Sequence, residues 1–330
     1  GDLDELDLII GPVTFDAVQE VAAFAKEKQI NFINPLSSNT DVLQDNPFAF
    51  LYYPGNEALG LRAAAYAKKH FNTNKNMAIF YSGQSDYFRA DTYRKAMEKD
   101  SFQTAIFERV APNESVAIQQ MFMEDHEVDR DSVEVATMMA EMDSLLNAGV
   151  EEWEIYKERD FVYDTLKILP DSIGHVFVAS DFSSLSASAL SGIASRPDTI
   201  GFVSSSRFLV AERSINFDQI DALNAVFVGS NYINYTKPSV EGFREAFLNH
   251  YLVAPIKEER LGDAYIAYDI MVSFGRLLHA HGKYFQLALR KEENVSGELT
   301  DYMNYRFSND NRYMPFLIFK NGRVQVLEEN

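Results

Sequence analysis

Cysteine is absent from the 330 residues. Thiol catalysis, disulfides and Cys-ligated zinc or iron–sulfur centres are therefore excluded. No run of about 20 apolar residues exists, so the sequence contains no helical membrane span. There is neither a G-x-G-x-x-G nor a Walker A sequence, which removes the glycine-rich phosphate loops of nucleotide-binding enzymes. Gly83-Gln-Ser-Asp-Tyr87 begins like a nucleophile elbow but lacks its second glycine. Histidine is scarce, at His70, His126, His175, His250, His279 and His281. Most of these fall on helices or inside a strand, where packing or surface roles are expected. His279 and His281 are two apart and point to different helix faces. Asp125-His-Glu-Val-Asp-Arg-Asp131 lacks the glycine and terminal Glu of a calcium loop. Positive charge is also short: 30 Lys and Arg stand against 49 Asp and Glu, a formal charge of −19. A phosphate backbone or an anionic bilayer would be repelled, so neither nucleic acid nor a membrane surface is an expected partner. No catalytic residue, metal or cofactor is expected.

What is present is a long alternation of short apolar strands and amphipathic helices. Leu6 to Ile10 reads as a buried strand stopped by Gly11-Pro12. Thr14 stands where it would cap a helix whose apolar face is Val18, Val21, Ala22 and Ala25. Ile30 to Ile33 and Phe48 to Tyr53 read as strands bounded by prolines, and Glu57 to Phe71 as a helix. The pattern then restarts. Strands are expected at Met77–Tyr81, Thr104–Phe107, His175–Ala179, Thr199–Val203 and Ala225–Val228. Helices are expected at Tyr87–Lys99, Phe161–Leu169 and Ser184–Ile193. Short connections between such elements are the signature of parallel α/β layers. Two helices follow, Ser239–Tyr251 and Asp263–His281. Short antiparallel strands are expected over 302–307 and 313–326, with Asn321-Gly322 as a type I′ hairpin turn.

Residues 112–160 depart from this pattern. They hold 14 acidic and 3 basic residues, more than half of the chain's excess negative charge, together with several methionines and the only tryptophan, Trp153. A solvated helical insertion with one apolar stripe is the plain reading. A docking surface or a lid over a cleft is the sharper one.

Several segments, in order, resemble the type I periplasmic binding proteins. Asp7-Leu-Ile-Ile-Gly-Pro12 is similar to that family's "IIGP" strand end. Ile30-Asn-Phe-Ile-Asn-Pro-Leu-Ser-Ser38 is similar to its "IPxISP" segment with small hydroxyl residues. Phe50 to Pro54, Ser85-Asp-Tyr-Phe88 and Gly262 to Asp269 resemble later motifs. Asn231 to Phe243 is similar to bacterial versions found beside LysM modules, although no LysM repeat is present. The resemblance implies a two-lobed α/β fold, each lobe a mostly parallel sheet flanked by helices. The expected division is 1–74 plus 236–300 for lobe one and 75–235 plus 301–330 for lobe two, which carries the acidic insertion. The family has a strand, a helix and a second strand ahead of its "IIGP" strand. Lobe one is thus expected to be incomplete, with strand 6–10 an exposed edge through which two copies would pair as a homodimer.

Ligands in open α/β sheets bind beyond the carboxyl ends of strands, at helix N-termini. That rule selects Thr14, Phe15, Ser37, Ser38, Thr40, Tyr87, Ser180, Asp181, Ser205 and Tyr232 as candidate ligand-binding residues. Helix capping is the competing reading of each hydroxyl. The resemblance implies a small polar ligand, an amino acid or a related solute, gripped by hinge closure. It also implies an ABC-type permease as a partner and a periplasmic or cell-envelope location, with any signal or anchor outside this chain. Amino-acid binders of the family set an acid of lobe two against the ligand amine. The matching strand end here is Ser204-Ser-Ser206, so either Asp181, at a neighbouring strand end, substitutes or the ligand carries no amine. A cell-envelope interaction scaffold with a vestigial cleft, and a hydrolase on a doubly wound fold, are the alternatives.

Overall fold

The computed structural model describes residues 6–12, 14–123, 140–141, 144–145, 148–149, 168–210, 216–229, 232–255, 263–291 and 294–328. Strands β1 (Leu8–Ile10), β2 (Asn31–Asn34) and β3 (Ala49–Leu51) form a small parallel sheet in that order. A larger sheet has seven strands: β4 (Asn76–Tyr81), β5 (Gln103–Arg109), β6 (His175–Val178), β7 (Gly201–Ser205), β8 (Val226–Val228), β11 (Phe316–Lys320) and β12 (Arg323–Val326). Their order is β12-β11-β8-β7-β6-β4-β5, parallel except for β11 and β12. A two-stranded antiparallel ribbon joins β9 (Val295–Ser296) to β10 (Tyr302–Met303).

The near-continuous apolar character of the central strands follows from burial on both faces. On one face of the large sheet lie Ala78, Phe80, Val176, Val178, Phe202, Phe227 and Leu317, packed against α4 (Val116–Phe122), α5 (Ser183–Ala194) and α6 (Phe217–Ala222). Met77, Ile79, Phe177, Val203, Val226, Val228 and Phe316 alternate to the other face, under α2 (Asn56–His70) and α3 (Gln84–Glu98). The small sheet is covered in the same way. Phe32, Ala49 and Leu51 meet α1 (Phe15–Lys28), while Ile33 and Phe50 meet α8 (Asp263–His281), α9 (Gln286–Leu289) and Tyr305. Helix α7 (Pro238–Tyr251) packs on α8 through Phe243 and Tyr265.

Two pieces lie elsewhere than the sequence division at 74 and 301 places them. Helix α2 covers the large sheet, because its small residues Ala63, Ala64 and Ala67 fit against that sheet and α3. Met303 and Tyr305 pack in the core of the small sheet. The strand expected over 302–307 is only β10, and it pairs with β9. The hairpin turn is as expected: Asn321 and Gly322 both take positive φ, at 54° and 76°. Of the acidic insertion, α4 contributes Ile118, Met121 and Phe122 to the large-sheet core. Trp153, the Asp125–Asp131 run and most of the helix expected over 161–169 lie outside the described residues. No helix among the described residues is long and apolar enough to cross a membrane.

The chain crosses between the two bodies three times, at 52–55, between β8 and α7, and at 304–315. The first crossing leaves the carboxyl end of β3, and the second leaves the carboxyl end of β8. The third enters β11, whose first residue lies opposite Val228 at that same end. The carboxyl ends of both parallel sheets therefore face one junction. Side chains stitch the crossings together. Asn311 Nδ2 donates to the Tyr52 carbonyl at 3.1 Å, and the Gly55 N–H donates to Asp310 Oδ1 at 2.8 Å. The Gly229 N–H donates to the Pro315 carbonyl at 2.8 Å. Asp269, fully buried on α8, accepts from Tyr52 Oη, from Thr300 Oγ1 and from the Leu299 N–H.

Gly60 sets the approach of α2 to α3, since a Cβ there would meet the Arg89 carbonyl at 2.5 Å. In an unconstrained helix, Gly→Ala gains about 1 kcal/mol. Here Gly60→Ala is expected to lower the urea midpoint, and a raised midpoint would show that the helices are free to separate. Burial pushes the Asp310 carboxyl up, against the pull of Arg312 and the Gly55 N–H. Its ionised form thus carries a cost in the folded state that sets in above the unfolded value, near pH 4, and is complete above the folded one. Asp310→Asn keeps the acceptor and removes the charge. It is expected to match or exceed the parent's urea midpoint at pH 7.5 and to lose that advantage below about pH 4.

Candidate functional site

The junction is lined by loop tips that follow strand ends. From the small sheet come residues 35–40 after β2 and Tyr52–Gly55 after β3. From the large sheet come Ser82 after β4, Ser180–Phe182 after β6, Ser205–Arg207 after β7 and Gly229 after β8. A chain of polar contacts runs through these tips. Ser38 Oγ accepts from Asn56 Nδ2 at 3.3 Å, and Asn56 Oδ1 accepts from Arg89 Nη2 at 2.9 Å. Arg89 then grips Asp181 with both terminal nitrogens, at 2.9 and 3.2 Å. Arg207 Nε lies 3.7 Å from the same carboxylate, and its guanidinium sits 5.4 Å above the Tyr53 ring.

The order of strength in this chain follows from burial. The Arg89 side chain is 6% exposed and that of Asp181 32%. A forked, two-bond pairing suits a guanidinium and a carboxylate better than any single contact. Burial alone would raise the Asp181 carboxyl. The Arg89 charge and hydrogen bonds overcome it, with help from Arg207 and the Ser205 hydroxyl, and hold it well below the usual carboxylate range. Asp86, buried on the first turn of α3, accepts from the Gly83 N–H and faces Arg89 as a second acid. Among the described residues Arg89 Nε has no hydrogen-bond partner, nor does Asn34 Nδ2 at the end of β2.

The residues expected from sequence fall into three groups. Ser38, Asp181 and Ser205 belong to the polar chain. Ser37 and Ser180 hold local backbone, and Thr40 packs beside the first crossing. Ser37 Oγ accepts from the Asn39 N–H and Ser180 Oγ from the Phe182 N–H. The Thr40 methyl packs against Gly55, where a Cβ would come within 2.6 Å of it. The third group lies outside the chain. Thr14 precedes α1 in extended backbone, yet its side chain makes no capping hydrogen bond. The Phe15 side chain lies outside the described residues. Tyr87 turns to the β5 edge, against Tyr81 and Phe107 at 5.6 and 6.1 Å. It is two residues from Arg89, about 200° around α3, so the two cannot share a face. Tyr232 packs half-buried against the large-sheet core. Asp181, one of the two readings for a ligand amine, is paired with Arg89.

Sequence reasoning missed Arg89, Asn56 and Tyr53, and it did not single out Arg207 within the strand-end loop 204–208. One signal for Arg89 was legible: it lies on the α3 stripe formed by Asp86, Ala90, Tyr93 and Met97, all buried. An arginine on such a stripe requires an acid partner. His175 is a packing residue, as expected. Its Nε2 meets Tyr93 Oη at 2.7 Å, its ring stacks on Phe71, and burial lowers its pKa to about 3, so it is neutral. Among the described residues no cluster of three or more His, Asp or Glu is placed to hold a metal.

No protein-family model matches the sequence. No curated protein sequence matches it either. Solved structures do. A solute-binding protein of an ABC transporter from Rhodopseudomonas palustris HaA2, in complex with p-hydroxybenzoic acid, is similar at 11% identity with a TM-score of 0.57, over 98% of this chain and 78% of that one. The ABC transporter substrate-binding protein of Desulfitobacterium hafniense, in complex with Leu, is similar at 13% identity with a TM-score of 0.54, over 99% and 82%. The branched-chain amino acid transporter substrate-binding protein LivJ of Streptococcus pneumoniae, in complex with isoleucine, is similar at 14% identity with a TM-score of 0.52, over 98% and 79%. The fold is thus that of the type I periplasmic binding proteins, as the sequence resemblance implied.

Removing one member of the Arg89–Asp181 pair leaves a charge without its partner. Arg89→Met is expected to cost on the order of 3 kcal/mol in urea unfolding, and Arg89→Met with Asp181→Leu to recover most of it. Because the Asp181 carboxyl is depressed, the pair's contribution stands in full above about pH 4 and is lost as pH falls below that. Arg89→Met should therefore flatten the acid limb of stability against pH. An unchanged limb would show that Asp181 does not need Arg89.

Proposed function

We propose that this chain is an extracytoplasmic solute-binding protein that takes a small polar ligand between its two lobes and closes on it by hinge motion. The observation that carries this reading is the geometry of the crossings. All three leave or enter at carboxyl ends, so the loop tips of two independently packed sheets oppose one another across a linker of three segments. Free backbone N–H groups and hydroxyls concentrate at such ends. Contacts to both lobes are complete only in the closed state, so a ligand shifts the population toward it.

The similar structures support the reading, since those proteins hold Leu, isoleucine and p-hydroxybenzoic acid. Their ligands span amino acids and an aromatic acid, so an amino acid or a related small solute is the class proposed here. The role is binding and delivery to an ABC-type permease, or sensing, without catalysis. The site's acid and cations are engaged with one another and are not arranged as nucleophile and base. A second reading, an interaction scaffold, is favoured by one observation. Leu248, Tyr251, Leu252 and Val253 around the end of α7, with Tyr268 and Met271 on α8, are exposed. Pairing of two copies along the β1 edge belongs to that reading.

Differential scanning fluorimetry of the whole chain against amino acids, aliphatic and aromatic acids and small peptides decides between the two. A ligand at 100-fold its Kd adds about 2.7 kcal/mol of stability. Small-angle scattering should show a smaller radius of gyration with that ligand. No thermal shift with any compound, together with concentration-dependent dimerisation, would favour the scaffold.

A further inference from the structure

We infer that the ligand is a small carboxylate without an amine, its carboxylate received by Arg207 beside Tyr53; this rests on the binding role proposed above and names the ligand class of that site. An α-amino acid is a zwitterion, and a buried ammonium needs an acid or a set of acceptors. The acid at the β6 end is Asp181, and its charge is already paired with the Arg89 fork and shared with Arg207 and the Ser205 hydroxyl. The β7 end carries Ser204, Ser205 and Ser206, with Ser204 turned inward onto Ser186 and the Val178 carbonyl. The next side chain is Arg207. Where an amine would need an acid, the strand end presents a cation.

Arg207 is placed to receive an anion. Its side chain is 37% exposed, against 6% for Arg89. Its distance of 3.7 Å from Asp181 is an ionic contact without a hydrogen bond. The Asp181 charge is shared with a closer, forked partner, so the Arg207 guanidinium keeps donor capacity for a planar, two-oxygen acceptor. The Ser205 hydroxyl accepts from the Arg207 N–H at 3.3 Å, which fixes the backbone that carries the guanidinium. Tyr53, on the first crossing, lies under that guanidinium and belongs to the segment that links the lobes. A carboxylate docked there would touch the large-sheet lobe and the hinge at once, and its apolar body would meet an aromatic ring. Ser38 and Asn56 supply a hydroxyl and an amide on the opposite side for a second polar group of the ligand.

Isothermal titration of the whole chain with 4-hydroxybenzoate, 4-methyl-2-oxopentanoate, leucine, isoamylamine and 4-hydroxybenzamide tests this. One or both amine-free carboxylates are expected to bind at least 10-fold more tightly than leucine, with the amine and the amide silent. Arg207→Gln is expected to weaken that binding at least 10-fold, Arg207→Lys to restore part of it, and neither to shift the melting temperature appreciably. Leucine binding more tightly than both acids, unaffected by Arg207→Gln, overturns the inference and leaves the binding role standing. Carboxylate binding that Arg207→Gln does not weaken also overturns it. Silence of all five probes, with the fluorimetric screen equally silent, removes the binding role itself.

Discussion

Two sheets that share no strand are held in one orientation by hydrogen bonds between the segments that cross from one to the other. The Asp310 carboxylate takes the Gly55 N–H, the Asn311 side chain takes the Tyr52 carbonyl, and Asp269 ties Tyr52 to the segment at 299–300. These bonds are buried, so breaking any of them strands a polar group away from water. This constraint joins two otherwise separate sheets at one junction. It also explains why the parallel sheets present their carboxyl ends, with their turns and helix starts, to a common space.

The Arg89–Asp181 pair is the second consequence of the same geometry. Helix α3 packs on the large sheet by a stripe that includes an arginine, so the β6 end must bring an acid to it. That acid is thereby paired with a buried cation, and the neighbouring strand end adds Arg207 as a second, partly exposed charge beside it. The electrostatics at these strand ends thus follow from helix packing one layer below. The net acidity of the chain, concentrated in 112–160, gives no guide to the sign of charge at this strand end.

Much of the fold was legible. Strands at 8–10, 31–34, 76–81, 175–178 and 226–228 lie where short apolar runs end in glycine, proline or serine, and α8 spans the periodic segment 263–281. Local sequence suffices there because burial on both faces demands uninterrupted apolar residues, and helix faces demand a 3.6-residue period. The hairpin at Asn321-Gly322 was legible because positive φ at two adjacent positions selects those residues. The assignment of α2 was not. Its alanine-rich face carries no local mark of the sheet it covers, and Gly60 lets it approach the α3 backbone.

The candidate site divides in the same way. Sequence determined which loop tips would carry polar groups, because strand ends and helix starts are marked by local residues, and Ser38, Asp181 and Ser205 were found by that rule. Tertiary structure alone decided what those groups do. Partners in an ion pair 92 residues apart, such as Arg89 and Asp181, have no local signature. Hydroxyls at positions such as Ser37 and Ser180 turn to the nearest backbone N–H once the loop closes. Local physics writes the elements and their ends; which charge meets which is a matter of distance in space, and distance in space exists only after packing.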